Sequence, residues 1–251
     1  RRNRRHRAIG VDPNHPRPDA PDHAMRAGQA AGEDARGEAE CGIIGKGQRL
    51  FRNAGPEDVH GTYAAMGSVP LILEGLIAFE REVSVIAARG VAGDVAIYDI
   101  TENVHRNGIL HTSTVPAALQ ATTVAAARQA AHAILEALDY IGVIGIEFFV
   151  LSDGTLLANE MAPRVHNSGH WTEAACLISQ FEQHIRAVAG LPLGNPRRHG
   201  DCVMENLIGD DIHRLASLAG ESDVLVHHYG KSEIRPGRKM GHFTRLLPLS
   251  S

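Results

Sequence analysis

The sequence predicts an α+β fold built mainly from antiparallel sheets. Strand-like alternation fills residues 82–98, and an Asp-Gly pair sits inside the most apolar stretch. Two helical patterns stand apart from the strands instead of alternating with them. With 251 residues, 43% of them apolar and 22% charged, the chain can bury a core as one large domain or two small ones.

Residues 1–41 contain eight Arg, seven acidic residues and four Pro, but no Leu, Phe, Tyr or Trp. Burial cannot offset the ordering entropy of such a segment, so it is expected to be irregular or disordered. The basic run Arg1–Arg7 reads as a solvated end rather than a nucleic-acid tail.

From Gly67 the pattern changes. Val69 to Leu73 reads as a short strand with Pro70 near its start. Glu82 to Ala88 alternates, with Val83, Val85 and Ala87 on one face, and Asp94 to Tyr98 returns after Gly93 as a hairpin. Pro116 is expected to open a helix, where its missing N–H costs nothing. Val124, Ala127, Ala131, Ile134, Leu135 and Leu138 form the apolar stripe of that helix, and Gly142 is expected to stop it. A second apolar hairpin runs from Val143 to Ala158. Ser179 and Glu182 have capping-box spacing for a helix to Val188, ended by Gly190 and Pro192. Residues 200–247 read as short strands punctuated by Gly.

Several function classes fall away. A net charge of −4 gives no basic field for nucleic acid, and 4% aromatic residues make a poor base-stacking platform. No apolar run approaches the roughly 18–20 residues that span a bilayer. Cys41, Cys176 and Cys202 form no CxxC pair or disulfide framework, which fits a reducing, cytoplasmic setting.

The second hairpin carries the informative geometry. If Asp153-Gly154 is a two-residue type I′ turn, Ser152 faces Thr155, Leu151 faces Leu156, and Glu147 faces Glu160. Like charges directly opposite one another destabilise a sheet, so a cation is expected between them. Oxygen ligands suit Mg²⁺ shared with phosphates. The alternative is two glutamates on a solvated face, but Glu147 lies within Val-Ile-Gly-Ile-Glu-Phe-Phe-Val, where a bare charge is costly. The run Asn159 to Trp171 then supplies Arg164, His166, Asn167, Ser168 and His170. It is either an anion-binding loop beside the metal or a polar loop that satisfies itself.

These residues carry a resemblance. Glu-Phe-Phe-Val, then Asn-Glu-Met-Ala-Pro-Arg-Val-His-Asn-Ser-Gly-His-Trp-Thr, then Ser-Gln-Phe-Glu-Gln-His, closely resemble the 5-(carboxyamino)imidazole ribonucleotide synthases. These are ATP-grasp enzymes of purine biosynthesis. The likeness extends through Glu74–Ile77, Phe79–Ser84, Glu102–Leu110, Asn206–Gly209, His228–Lys231 and Arg235–His242, covering about 200 residues.

The resemblance implies an ATP-grasp fold over residues 42–195 and a small β-rich C-terminal domain over 196–251. The family's preceding nucleotide-fold domain has no counterpart in 1–41. The implied activity is ATP-dependent carboxylation of 5-aminoimidazole ribonucleotide by bicarbonate through carboxyphosphate. Partners are then ATP, bicarbonate and the ribonucleotide, with Mg²⁺ or Mn²⁺ as cofactor and a homodimer as assembly. Glu147 and Glu160 match the metal ligands. Gly42, Gly45, Lys46, Gly47 and Gln48 resemble the glycine-rich phosphate loop, although Ile43-Ile44-Gly45 stand where the family reads Tyr-Asp-Gly. Glu74, Gly75, Leu76 and Ile77 match the adenine hinge, and Glu82 matches the ribose carboxylate. His105, Asn159 and Glu160 complete the ATP site. Arg164, His166, Asn167 and Ser168 are expected to hold bicarbonate and carboxyphosphate. Lys231, Arg235 and Arg238 resemble the loop holding the substrate's phosphate, since cations grip a phosphate monoester. With the front domain and the phosphate-gripping lysine unmatched, turnover by this chain is expected to be far below normal. A nucleotide-binding fragment without turnover and a formate-using ATP-grasp relative are the competing readings.

Overall fold

The computed structural model describes residues 40–43, 49–52, 61–70 and 77–250. Short strands β1 (Glu40–Ile43) and β2 (Arg49–Arg52) pair antiparallel, with Gly42 opposite Leu50. Glu40 and Cys41 therefore lie in a strand; the expectation for residues 1–39 falls outside the described residues. Of the strand expected over Val69–Leu73, Val69 and Pro70 are coil, and residues 71–73 lie outside the described residues.

Among the described residues, the body is one nine-stranded sheet. Its strands are β3 (Arg81–Arg89), β4 (Val95–Ile97), β5 (Thr101–Arg106), β6 (Ile109–Val115), β7 (Gly142–Val150), β8 (Leu156–Ala162), β9 (Asp201–Ile208), β10 (Val224–His228) and β11 (Lys239–Leu247). Their order is β10-β11-β9-β6-β5-β3-β7-β8, with β4 beside the far end of β3, and every pairing is antiparallel. β6 pairs with β9, so the C-terminal strands continue the same sheet.

Alternation assigns the two faces. Val83, Val85, Ala87, Ile144, Ile146, Phe148 and Val150 form one buried face under helix α1 (Ala121–Ala137), whose Ala127, Ala131 and Leu135 are fully buried. Each large aliphatic side chain buried there contributes roughly 1.5–3 kcal/mol. The opposite face of β3 and β7 carries Glu82, Ser84, Ile86, Val143, Gly145 and Glu147. Ile86 and Val143 pack there with Trp171, whose Nε1–H donates to the Thr101 hydroxyl at 3.0 Å. Helix α2 (Gln180–Val188) begins where expected, with the Ser179 side chain accepting the Glu182 N–H at 3.3 Å, but the Glu182 carboxylate pairs with Arg186 instead of completing the capping box.

Several expectations need correction. Pro116 does not open α1, because the Ala117 N–H is already bonded to the Ile100 carbonyl, pinning this stretch to the sheet; the helix starts at Ala121. Gly142 does not stop it either. The helix ends at Ala137, after which Asp139 takes a positive φ of 45° and pairs with Arg89 at 2.8 Å. Leu138, just beyond the last turn, is exposed, and Thr123 takes its place in the buried stripe. Residues 209–218 form helical turns within the C-terminal region read as strands alone.

Candidate active site

The hairpin of β7 and β8 reaches its register by a route different from the predicted one. Only Gly154 of the Asp-Gly pair takes a positive φ, 83°. The Asp153 carboxylate accepts the Thr155 N–H at 2.9 Å, and Leu151 N–H donates to Thr155 O at 2.9 Å. The loop is therefore three residues, Ser152 to Gly154, and Leu156 faces Val150 rather than Leu151. A β-bulge between Phe148 and Glu147 restores the register, and Asn159 and Glu160 together oppose Glu147. The predicted pairing of Glu147 with Glu160 stands, one extra turn residue having been offset by one bulged residue.

Glu147, Glu160, His105, Arg164, His166, Asn167, Lys231 and Lys239 line a cavity of about 530 Å³, with Gly108, Ile109, Leu110 and Gly237. Burial raises the Glu147 carboxyl above the usual range; the charges of Glu160 and Glu82 add to this, while His105 and Lys239 oppose it. Burial also lowers Lys239, with Lys231 and Arg164 adding to it and the two glutamates opposing it. For His105 burial alone would lower the pKa. The Glu82 carboxylate, accepting its Nδ1–H, raises it overall.

The loop after β8 is seated on β7 by Gly145, where a Cβ would meet the His166 Cβ at 2.5 Å. His166 is held from both sides. Ser84 Oγ–H donates to Ser168 Oγ at 2.7 Å, and Ser168 Oγ lies 2.8 Å from His166 Nδ1, to which the Ser168 N–H also points. With Nδ1 accepting, Nε2 carries the proton and faces Glu147 Oε1 at 3.9 Å. Burial lowers the His166 pKa to about 4, so the ring is neutral near pH 7.

Other predicted residues are placed as follows. Ser168 is fully buried beneath the cavity and reaches it only through His166. Asn167 lines the cavity, and its Nδ2 is buried without a hydrogen-bond partner. Arg164 donates to the Val165 carbonyl at 3.0 Å. Lys231 Nζ lies 5.4 Å over the Tyr229 ring and donates to Lys239 O. Arg235 and Arg238 do not line the cavity: Arg235 pairs with Glu233, and Arg238 donates to the Glu233 carbonyl at 3.0 Å. Asn159 and Ile77 are exposed. Gly45, Lys46, Gly47, Gln48, Glu74, Gly75 and Leu76 lie outside the described residues. Lys239 and Ser84 were missed by sequence reasoning. Ser84 could have been found, because it shares a strand face with Glu82 and sits opposite Glu147.

The segments that build this cavity fall within two known protein families. The ATP-grasp domain matches residues 38–181, and the phosphoribosylaminoimidazole carboxylase C-terminal domain matches 202–248. The chain belongs to the ATP-grasp family. Among its curated ATP-grasp relatives is the N5-carboxyaminoimidazole ribonucleotide synthase of Brucella melitensis, 63% identical over 207 residues, covering 82% of this chain and 57% of the relative. The crystal structure of the N5-carboxyaminoimidazole ribonucleotide synthetase from Thermus thermophilus has a TM-score of 0.72 and 43% identity, covering 79% of this chain and 54% of that one. A synthase from Aspergillus clavatus, in complex with ADP and 5-aminoimidazole ribonucleotide, has a TM-score of 0.75 and 30% identity, covering 80% of this chain and 55% of that one. This ATP-grasp chain spans about half the length of the relatives it matches.

Proposed function

We propose that this chain carries the ATP and bicarbonate chemistry of a 5-(carboxyamino)imidazole ribonucleotide synthase. The observation behind this reading is the Glu147–Glu160 pair, opening into the same cavity as Arg164, His166, Asn167 and Lys231. ATP transfers its γ-phosphoryl group to bicarbonate, and the amine of the ribonucleotide then takes the carboxyl group from carboxyphosphate, releasing phosphate.

The donor set fits Mg²⁺. Two facing carboxylates, one held above its usual pKa by burial and by its partner, are relieved by a hard divalent cation. Glu147 and Glu160 would hold the ion, which would supply positive charge to offset the charge that develops on phosphoryl transfer. Arg164 and Asn167, eight residues or fewer from Glu160, would orient bicarbonate. Neutral His166 would donate its Nε2–H to an anionic oxygen, and Ser168 and Ser84 would keep that tautomer in place. His105 holds one oxygen of Glu82, leaving the other for a ribose hydroxyl. Adenine would lie towards the segment ending at Ile77. Lys231 would meet the ribonucleotide phosphate, and Arg235 and Arg238 would join it by releasing Glu233. In the homodimer that belongs to this reading, exposed Leu177, Ile185 and Leu191 offer apolar surface to the second copy. No helix among the described residues is long and apolar enough to cross a membrane, and a cytoplasmic location is part of the proposal.

Calorimetric titration of the chain with ATP, in Mg²⁺ and then in EDTA, tests this. One ATP site that requires Mg²⁺, with any ADP formation dependent on bicarbonate, is the expected result. Binding indifferent to Mg²⁺, or ATP hydrolysis indifferent to bicarbonate, would contradict it. MgATP bound with no ADP formed would favour a nucleotide-binding fragment.

A further inference from the structure

A second cluster of ligand-type side chains lies outside the cavity lining. His227 and His242 are direct cross-strand partners in β10 and β11, with their rings 4.6 Å apart and inclined by 17°. Glu173 comes from the helical turn Thr172–Ala175, and its Oε2 lies 3.7 Å from His227 Nε2. A nitrogen of each ring and a carboxylate oxygen of Glu173 all lie within 4.8 Å of one another. None of the three lines the cavity that holds Glu147.

We infer that Glu173, His227 and His242 form a binding site for a divalent transition metal of the zinc class, joining the loop region after β8 to the C-terminal hairpin. Two imidazoles and one carboxylate leave the fourth tetrahedral position to water, a ligand set that suits Zn²⁺ better than Mg²⁺.

An independent observation points to a ligand. His242 is 2% exposed, yet its Nε2 has no hydrogen-bond partner, and the buried Nε2 of His227 has none either. Buried polar atoms are rarely left unpaired. Tyr229 Oη sits 2.8 Å from His242 Nδ1. If Nδ1–H donates to that oxygen, Nε2 presents a lone pair for a metal, the usual arrangement around a ligating histidine. Without a metal the same nitrogen is an orphan in either tautomer. Stacking against His170, 4.9 Å away, holds the His242 ring in this orientation. Glu173 and His227 are about a third exposed, at 29% and 33%, so an ion can enter from solvent. Small rotations of those two side chains would bring the donors to the roughly 2.0–2.2 Å that zinc requires.

The test uses the untagged full chain, stripped with EDTA, and its Glu160→Gln form, which weakens the separate carboxylate pair. Zn²⁺ is titrated in competition with a chromophoric chelator, and Co²⁺ absorption reports the coordination geometry. The expected result is one Zn²⁺ per chain in the Glu160→Gln form, with a tetrahedral Co²⁺ spectrum. Adding Glu173→Gln or His227→Gln should each weaken Zn²⁺ binding at least about tenfold, since loss of outer-shell partners alone costs that much. Circular dichroism of these two surface variants should match the parent. No stoichiometric Zn²⁺ binding, or a loss smaller than about tenfold in either variant, would overturn the inference.

Discussion

Gln180 closes both backbone groups of His166. Its Oε1 accepts the His166 N–H at 2.9 Å, and its Nε2 donates to the His166 carbonyl at 2.7 Å. The same Nε2 lies 3.0 Å from His170 Nδ1, so one fully buried amide fixes two histidines of the loop. A side chain on α2 thus sets where the cavity's imidazole stands. Gly169 makes room for it, since a Cβ there would lie 2.7 Å from Gln180 Oε1.

Gln180→Leu keeps the volume but strands the N–H and the carbonyl of His166. Each buried group left unsatisfied costs about 1–3 kcal/mol, so a loss of roughly 2–6 kcal/mol in urea unfolding is expected. A loss under about 1 kcal/mol would show that the loop does not depend on this clamp.

Ser168→Ala removes the hydroxyl between Ser84 and His166. The expected cost is about 1–3 kcal/mol of stability, and the Nδ1 and Nε2 signals of His166 should lose their fixed tautomer in nitrogen-15 spectra. An unchanged tautomer would mean that the chain from Ser84 to His166 does not set it.

Acid should unfold the chain through its buried imidazoles. Burial lowers both His166 and His170 from 6.5 to about 4. The unfolded state therefore binds more protons between these values, and stability rises with pH across that window. It is complete above about pH 6.5 and is lost as the pH falls towards 4, by at most roughly 3 kcal/mol for each ring. Urea midpoints measured in EDTA should fall steadily from pH 7 to pH 4.5. A flat profile would contradict the assignment.

Cys176 and Cys202 should resist alkylation in the folded chain. Burial pushes both thiols up to about 12, leaving almost no thiolate at pH 8. Peptide mapping should find them modified by iodoacetamide only after unfolding. Rapid labelling in native buffer would show that this part of the core opens.

Legibility followed locality. Ser179 capped α2 as its spacing predicted, and β3 alternated as written, because both are set within a few residues. The start of α1 was not legible: the bond between Ala117 and Ile100 that displaces it joins residues 17 positions apart. Continuity of the sheet through β6 and β9 joins segments about 90 residues apart, and nothing in either segment announces it. The Glu147–Glu160 pairing matches the sequence expectation although the turn that predicts it differs. The bulge at Asn159 left no mark in the apolar pattern, and it happened to offset the extra residue of the loop. Lys239 was hidden by its neighbour Arg238, whose guanidinium turns to the Glu233 backbone while Lys239 enters the cavity.

In the proposed function, Glu147 and Glu160 together hold the cation that brings ATP into this cavity. Replacing Glu160 by Gln keeps the shape and removes one of the two charges, so MgATP affinity, measured calorimetrically on the folded variant, tests it most directly. A drop of at least about tenfold, about 1.4 kcal/mol, with unfolding stability unchanged or raised, is the predicted result. Equal MgATP affinity in the parent chain and in Glu160→Gln would contradict the account.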